Sequence, residues 1–441
     1  MDLIQKCIVI TYTTLYRTGG DQFEKAAKTL AQQKQKEFPD LQIISVATES
    51  KQAFLQVIEN VQTENLLIEQ FHFIGHSGVY GIMFGTTAWP EQFSPFEWKQ
   101  MKWPLTSNAK IYFHACRTAR WLAPFLAAHL SVPVFGYWWY TTVSKSNKKF
   151  IWKKNRNQAG DTFIVSCPGR KSHGLAASVL KYLGQTKLYP MVEYKPEDGQ
   201  IDRSYDFVSD LYEETFQDLS VRKDEWRWLH QNIDFNKTKN ILDIGCGNGA
   251  FLRGIAGQVE KACGVDASTG MLKVATNKAS QLGLHNVEFK KIDGPKLPYA
   301  DNQFETVISV LSFRYLDWDP MVQEILRVLK PGGQILILDM VAAPIRFYEI
   351  PQLLISKIKN YIQRVQNPKY YTALSKMVST PAWKQMLKYN PIRAEHEYRW
   401  FLKSRFPDSN FDCINIAWNS RIITFNSNAV HFKYVQKTSF P

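Results

Sequence analysis

The stretch Asn240–Phe251 reads NILDIGCGNGAF, an apolar run that stops at Gly245, Gly247 and Gly249 and restarts with helical spacing. A short apolar run bounded in this way is a buried strand turning into a helix. Glycine carries no side chain, so at Gly245 and Gly247 backbone N–H groups can approach a ligand closely. Gly245, Gly247 and Ala250 also satisfy the looser dinucleotide fingerprint, which leaves a nicotinamide or flavin enzyme open on this motif alone. Asp266 ends the next strand-like segment, ACGVDAS, where a carboxylate can accept hydrogen bonds from both hydroxyls of a ribose. Both cofactor classes use such a residue.

Three features further along discriminate: Asp243 on the strand before the glycines, Asp293 in FKKIDGPKLPYADNQFETVISV, and RVLKPGGQILILDM leading into a fifth strand. Together they resemble the class I S-adenosylmethionine-dependent methyltransferases, in particular the ubiquinone/menaquinone branch, from about Tyr205 to Met340. The resemblance implies a Rossmann-like domain with a seven-stranded sheet and S-adenosyl-L-methionine as cofactor. It implies that Gly245 and Gly247 face the methionine portion, Asp266 and Ala267 the ribose, Met271 the adenine face, and Asp293 with Gly294 the adenine edge. Asp243 and Ser309 would flank the methionine amino group, because an ammonium beside a sulfonium needs acceptors. The bland alternative is that these carboxylates cap strand ends and the glycines only turn the chain.

Glu305 stands where many relatives carry Asp, and Arg314 follows the fourth strand, either near the acceptor pocket or as a surface arginine. Methyl transfer by in-line displacement requires alignment and a dry pocket more than a dedicated base. Asp317, Asp319 and Tyr315 could supply a base or cap the following helix. A helical insertion at about 345–391 sits where this fold carries a substrate lid, and Phe347, Tyr348, Tyr370 and Tyr371 in it point to a small or apolar, lipid-like acceptor. Core packing is the alternative for the same aromatics. FDCINIAWNSRIITFNSN reads as a closing strand hairpin.

Upstream, CIVITY, LQIISVA, IEQFHFIG, KIYFHAC and VPVFGYWWY alternate with helical stretches, the pattern of a second parallel α/β sheet. Periodicity lapses at 186–204, which reads as a linker between units 1–185 and 205–441. Two of these strands end at His76, in GHSG, and at Cys116, in ACRTA. An imidazole beside a thiol makes it a nucleophile, and a backbone N–H near Gly78 could stabilise an oxyanion. The two motifs resemble the caspase-like cysteine peptidases of the CHAT type, with Ser77 interrupting the histidine turn. That resemblance implies a caspase-like parallel-sheet sandwich with His76 and Cys116 as catalytic pair and a protein as substrate or partner. A catalytically inactive recognition module, and a wholly non-catalytic cofactor-binding scaffold, remain alternatives. His72 and His114 are rival partners or packing residues, and Val79 breaks a GxSxG elbow around Ser77.

Length and composition agree with two α/β cores: 441 residues, 45% hydrophobic. No run approaches the roughly 20 apolar residues that span a bilayer, and the first residues lack a signal-peptide pattern, so a cytoplasmic protein is expected. The six cysteines show no zinc spacing, and no metal is expected. Much of the +14 charge concentrates in Lys145, Lys148, Lys149, Lys153, Lys154 and Arg156, interleaved with Phe150, Ile151 and Trp152. That mixture suits nucleic acid or anionic lipid, with a solvated loop the simpler reading.

Overall fold

The computed structural model describes residues 5–15, 19–78, 81–85, 90–151, 160–184, 186–199, 205–216, 222–343, 345–389, 392–418 and 420–430. The chain divides into two compact units, Met1–Ile201 and Asp202–Pro441.

The first unit is built on β1 (Lys6–Tyr12), β2 (Gln42–Ala47), β3 (Leu67–Ile74), β4 (Leu105–His114), β5 (Val134–Gly136) and β6 (Val192–Tyr194), in the spatial order β6-β5-β4-β3-β1-β2. The first five run parallel, and β6 closes the edge antiparallel to β5. Both faces of β1 are buried, which is why its sequence is continuously apolar. Cys7 and Val9 pack with Phe54, Phe71 and Trp121 on one side, and Ile8 and Ile10 with Phe23 and Ile74 on the other. The expected parallel α/β sheet is present, and each of the five upstream segments contributes a strand. The 186–204 stretch differs from a bare linker in that Val192–Tyr194 pairs with Val134–Gly136; three residues are too few for sequence periodicity to register. In the basic segment, Phe150 is buried against Val165 and Cys167, so its ring is withdrawn from any nucleic acid. Trp152, Lys153, Lys154 and Arg156 lie outside the described residues.

The second unit holds β7 (Asn240–Ile244), β8 (Lys261–Asp266), β9 (Val287–Lys291), β10 (Phe304–Val310), β11 (Leu329–Ala342), β12 (Asn410–Ile416) and β13 (Ser420–Asn426), in the order β9-β8-β7-β10-β11-β13-β12. This is the expected seven-stranded sheet, parallel except for β13, which runs antiparallel to both β11 and β12. Leu242 and Ile244 face one core and Ile241 the other, so helices cover both sides. Between β11 and β12 stand the helices Ile350–Gln366, Pro368–Ser379, Pro381–Tyr389 and Glu395–Arg405.

Candidate functional site

Strand order reverses at β7, with β8 on one side and β10 on the other. In open α/β sheets the carboxyl ends of the strands at such a reversal form a crevice. Gly245 leaves β7 there, and the N–H groups of Gly245 and Cys246 both donate to the Val265 carbonyl (2.8 and 3.0 Å), clamping the turn to β8. Gly245 has φ +75°, and a side chain on it would collide with Ser312, whose hydroxyl donates to the Gly245 carbonyl (2.8 Å). At Gly247 a Cβ would meet, among the described residues, only Tyr212, at 3.9 Å. The turn is therefore packed at Gly245 and open at Gly247.

Asp266 braces this turn: one carboxylate oxygen accepts from Gly247 N–H and the other from Ser268 N–H, both at 2.8 Å. Burial raises its pKa above the ordinary carboxylate value while those N–H groups pull it back. Asp243 is buried, and its Oδ1 has no hydrogen-bond partner. Burial first, then the charge of Asp266, pushes its carboxyl up to about 8. Such a group calls for a cation in front of it, which would restore the carboxylate.

Asp243, Gly245, Gly247 and Asp266 thus meet at one sheet end. Ala267 is exposed beside them, and buried Met271 starts the next helix with its N–H on Ser268 Oγ (3.1 Å). Ser309 lies within the sheet, its hydroxyl donating to the Ile244 carbonyl (2.9 Å) and strapping β10 to β7. Asp293, followed by half-buried Gly294, stands at the rim with its side chain 82% exposed, 3.4 Å from Lys291 Nζ.

Several residues escaped the sequence reading. Asp206 Oδ1 accepts from Ser268 Oγ (2.6 Å) and Gly270 N–H (2.8 Å), and buried Asn248 donates to Glu213 and to the Phe216 carbonyl (2.9 Å). These bonds fold the helix Ser209–Thr215 over the glycine turn; in the sequence only helical spacing signalled it. Tyr205 donates to Tyr315 Oη (3.0 Å), and its ring lies 6.0 Å from those of Tyr212 and Tyr315 and 6.3 Å from Trp383. Burial, then the neighbouring Tyr315, pushes the Tyr205 phenol well above its ordinary value.

Other expectations need correction. Arg314 is not a surface arginine: it is buried in an ion pair with Asp339, to which Tyr398 also donates, 4.6 Å beneath the Tyr315 ring. Asp319 is taken up by Arg405 (2.6 Å). Phe347 and Tyr348 are exposed and enclose nothing, whereas Tyr370 packs on Phe216 at 6.0 Å and on Tyr371 at 5.1 Å.

In the first unit, Ile74 pairs with His114, so His76 and Cys116 sit two residues past the same rung of β3 and β4. Both line a cleft of about 220 Å³ together with Phe23, Gly75, Thr141 and Tyr182. Cys116 Sγ accepts from Thr141 N–H (3.3 Å) and lies 3.2 Å from its hydroxyl, and the His76 ring stands edge-on to Phe23 at 5.0 Å. Near the expected oxyanion donor, the N–H of Gly78 itself donates to the Gly81 carbonyl (2.8 Å). His72 and His114 partner each other (3.1 Å), and burial pushes His114 down to about 4.

A methyltransferase domain family matches residues 241–333. Demethylmenaquinone methyltransferase of Bacteroides fragilis is 31% identical over 172 residues, which cover 36% of this chain and 69% of that protein. An uncharacterized methyltransferase of Bacillus subtilis is 28% identical over 167 residues, 38% of this chain and 62% of that one. Among solved structures, a SAM dependent methyltransferase from Aquifex aeolicus is 19% identical, covering 52% of this chain and 99% of its own, with a TM-score of 0.33. The chain belongs to the S-adenosylmethionine-dependent methyltransferases, and S-adenosyl-L-methionine is its cofactor.

Proposed function

We propose that the unit at 205–441 transfers a methyl group to a small or apolar acceptor seated against Tyr205, Tyr212, Tyr315 and Trp383. The observation that carries this reading is the aromatic group beside the open face of Gly247. A relative bearing the name demethylmenaquinone methyltransferase points the same way. S-adenosylmethionine supplies a methyl carbon made electrophilic by its sulfonium. In this reading Asp243 and Ser309 flank the amino group of its methionine, and Gly245 and Gly247 face the remainder of that portion. Asp266 and Ala267 take the ribose, Met271 the adenine face, and Asp293 with Gly294 the adenine edge. The unpartnered Oδ1 of Asp243 and the space in front of Gly247 support the assignment. The tyrosines exclude water and align the acceptor, which is what an in-line displacement requires.

The test is transfer of labelled methyl from S-adenosylmethionine into a cell extract, followed by separation of lipids, small molecules, protein and nucleic acid. Label in the lipid or small-molecule fraction that Asp266→Ala abolishes supports the reading. Label confined to protein or nucleic acid overturns it.

For 1–185, joined through 186–204, a caspase-like, CHAT-type reading with His76 and Cys116 as catalytic pair and a cytoplasmic protein as substrate is favoured by one observation, their shared cleft. Thiol-directed labelling tests it. Cys116 reacting fastest of the six cysteines, and more slowly in His76→Ala, supports it; equal rates leave a recognition module.

A further inference from the structure

The helix Ile350–Gln366 is turned inside out relative to an ordinary surface helix. Leu354, Ile358, Tyr361 and Val365 recur at i, i+4, i+7 and i+11, with Ile355 and Ile362 beside them, and all six are exposed. At 3.6 residues per turn they form one stripe covering roughly 120° of the circumference. Tyr361 is 71%, Val365 66% and Ile358 61% exposed. The opposite side, turned to the protein, carries buried Leu353 with half-buried Ser356 and Gln363. The rotation is held at the helix start, where buried Glu349 accepts from Arg421 (3.1 Å).

Charge identifies the occupant. By the same periodicity Lys357 and Arg364 border the stripe on one side and Lys359 on the other. From Ile350 to Ala394 there are eight Lys and Arg residues and no Asp or Glu. Phe347 and Tyr348 extend the exposed apolar surface just before the helix. A stripe of aliphatic side chains and tyrosine between two basic borders is the pattern of a helix lying in the plane of a membrane, its apolar side in the acyl boundary and its cations among headgroups. A second copy of this chain fits poorly, because face-to-face stripes would bring basic border against basic border.

We propose that this helix docks the protein on the surface of an anionic lipid bilayer. Among the described residues no helix is long and apolar enough to cross a membrane, so the contact is peripheral. Docking would also place the lid where an apolar acceptor can enter from the lipid phase, a corollary that rests on the acceptor reading above, whereas the docking itself does not.

The experiment is cosedimentation of the full chain with vesicles of phosphatidylcholine, with and without phosphatidylglycerol, alongside size measurement by light scattering. Wild type is expected to sediment with the phosphatidylglycerol vesicles and to be released by salt. Lys357→Gln and Lys359→Gln should each lower binding about fivefold. Ile358→Asp should lower it further, with S-adenosylmethionine affinity unchanged in calorimetry as the check on folding. No sedimentation of wild type, equal binding by all variants, or a dimer that Ile358→Asp dissociates would each overturn the proposal. Vesicle binding accompanied by methyl label only in water-soluble products would keep the docking and remove the lipid-phase acceptor.

Discussion

In the proposed reading Asp243 is the residue on which the energetics of cofactor binding turn. Its carboxyl, raised to about 8 by burial and by Asp266, is protonated at neutral pH until a cation arrives. Cofactor binding should therefore release a proton, and affinity for S-adenosylmethionine should fall by up to about tenfold per pH unit below pH 8. Calorimetry from about pH 6 to about pH 8 reads this, and Asp243→Asn should bind weakly with no such slope. A raised acid stabilises the fold in full below its ordinary value of 3.8 and loses that contribution progressively as pH climbs to about 8, so Asp243→Asn should raise the melting temperature most in alkaline buffer. The glycines separate by environment. Gly245→Ala meets Ser312 at positive φ and should cost about 2 kcal/mol in urea unfolding. Gly247→Ala meets no such neighbour, but at φ +53° it too is strained, so a stability cost of about 1 kcal/mol should accompany its loss of cofactor affinity. The turn of Gly245 and Gly247 and the strand end at Asp266 were legible in the sequence because positive φ calls for glycine and leaves a compositional mark. Asp206, on a helical pattern, and Asn248, within the glycine turn, were not, because a single polar residue looks like surface until its partner is known.

At the scale of elements, buried charge ties β10 and β11 to the helix Glu395–Arg405. Arg314 and Tyr398 converge on Asp339, which is fully buried. Removing the carboxylate with Asp339→Ala leaves Arg314 without its counter-charge in the core and should destabilise the protein by about 3–5 kcal/mol, whereas Tyr398→Phe should cost about 1–2 kcal/mol. Equal small effects in chemical denaturation would show that solvent reaches the cluster. The strands were legible because parallel strands covered on both faces are almost wholly apolar, as at Cys7–Ile10 and, but for Asp243, at Ile241–Ile244. The helix Ile350–Gln366 is legible as a helix but not in its facing: amphipathic spacing locates a stripe without saying whether protein or something else covers it.

At the scale of the molecule, two compact units imply two separable cores. Scanning calorimetry should show two transitions, of which S-adenosylhomocysteine raises one, by about 2.7 kcal/mol at a hundredfold excess over its dissociation constant. Acid should act on the other. His114, held at about 4 by burial beside His72, stays neutral in the fold while the unfolded chain takes up a proton below its ordinary value of 6.5. His114 by itself should thus take about 3 kcal/mol from the first unit between pH 6.5 and pH 4, and His72, which burial also holds well below its ordinary value, adds to that loss, so His114→Gln should reduce it without abolishing it. The sequence by itself determined the α/β class of both halves, the seven-stranded sheet, the cofactor and the acidic and glycine residues that meet at one end of that sheet, because these rest on local spacing and on motifs a few residues long. Tertiary structure alone decided that Arg314 is a buried structural cation, that the Gly78 N–H is taken by the Gly81 carbonyl, that Tyr205, Tyr212, Tyr315 and Trp383 form one aromatic group, and that an apolar helix face points outward. Each of these depends on which distant segment, if any, comes to lie against a residue, and such pairings leave no trace in local periodicity.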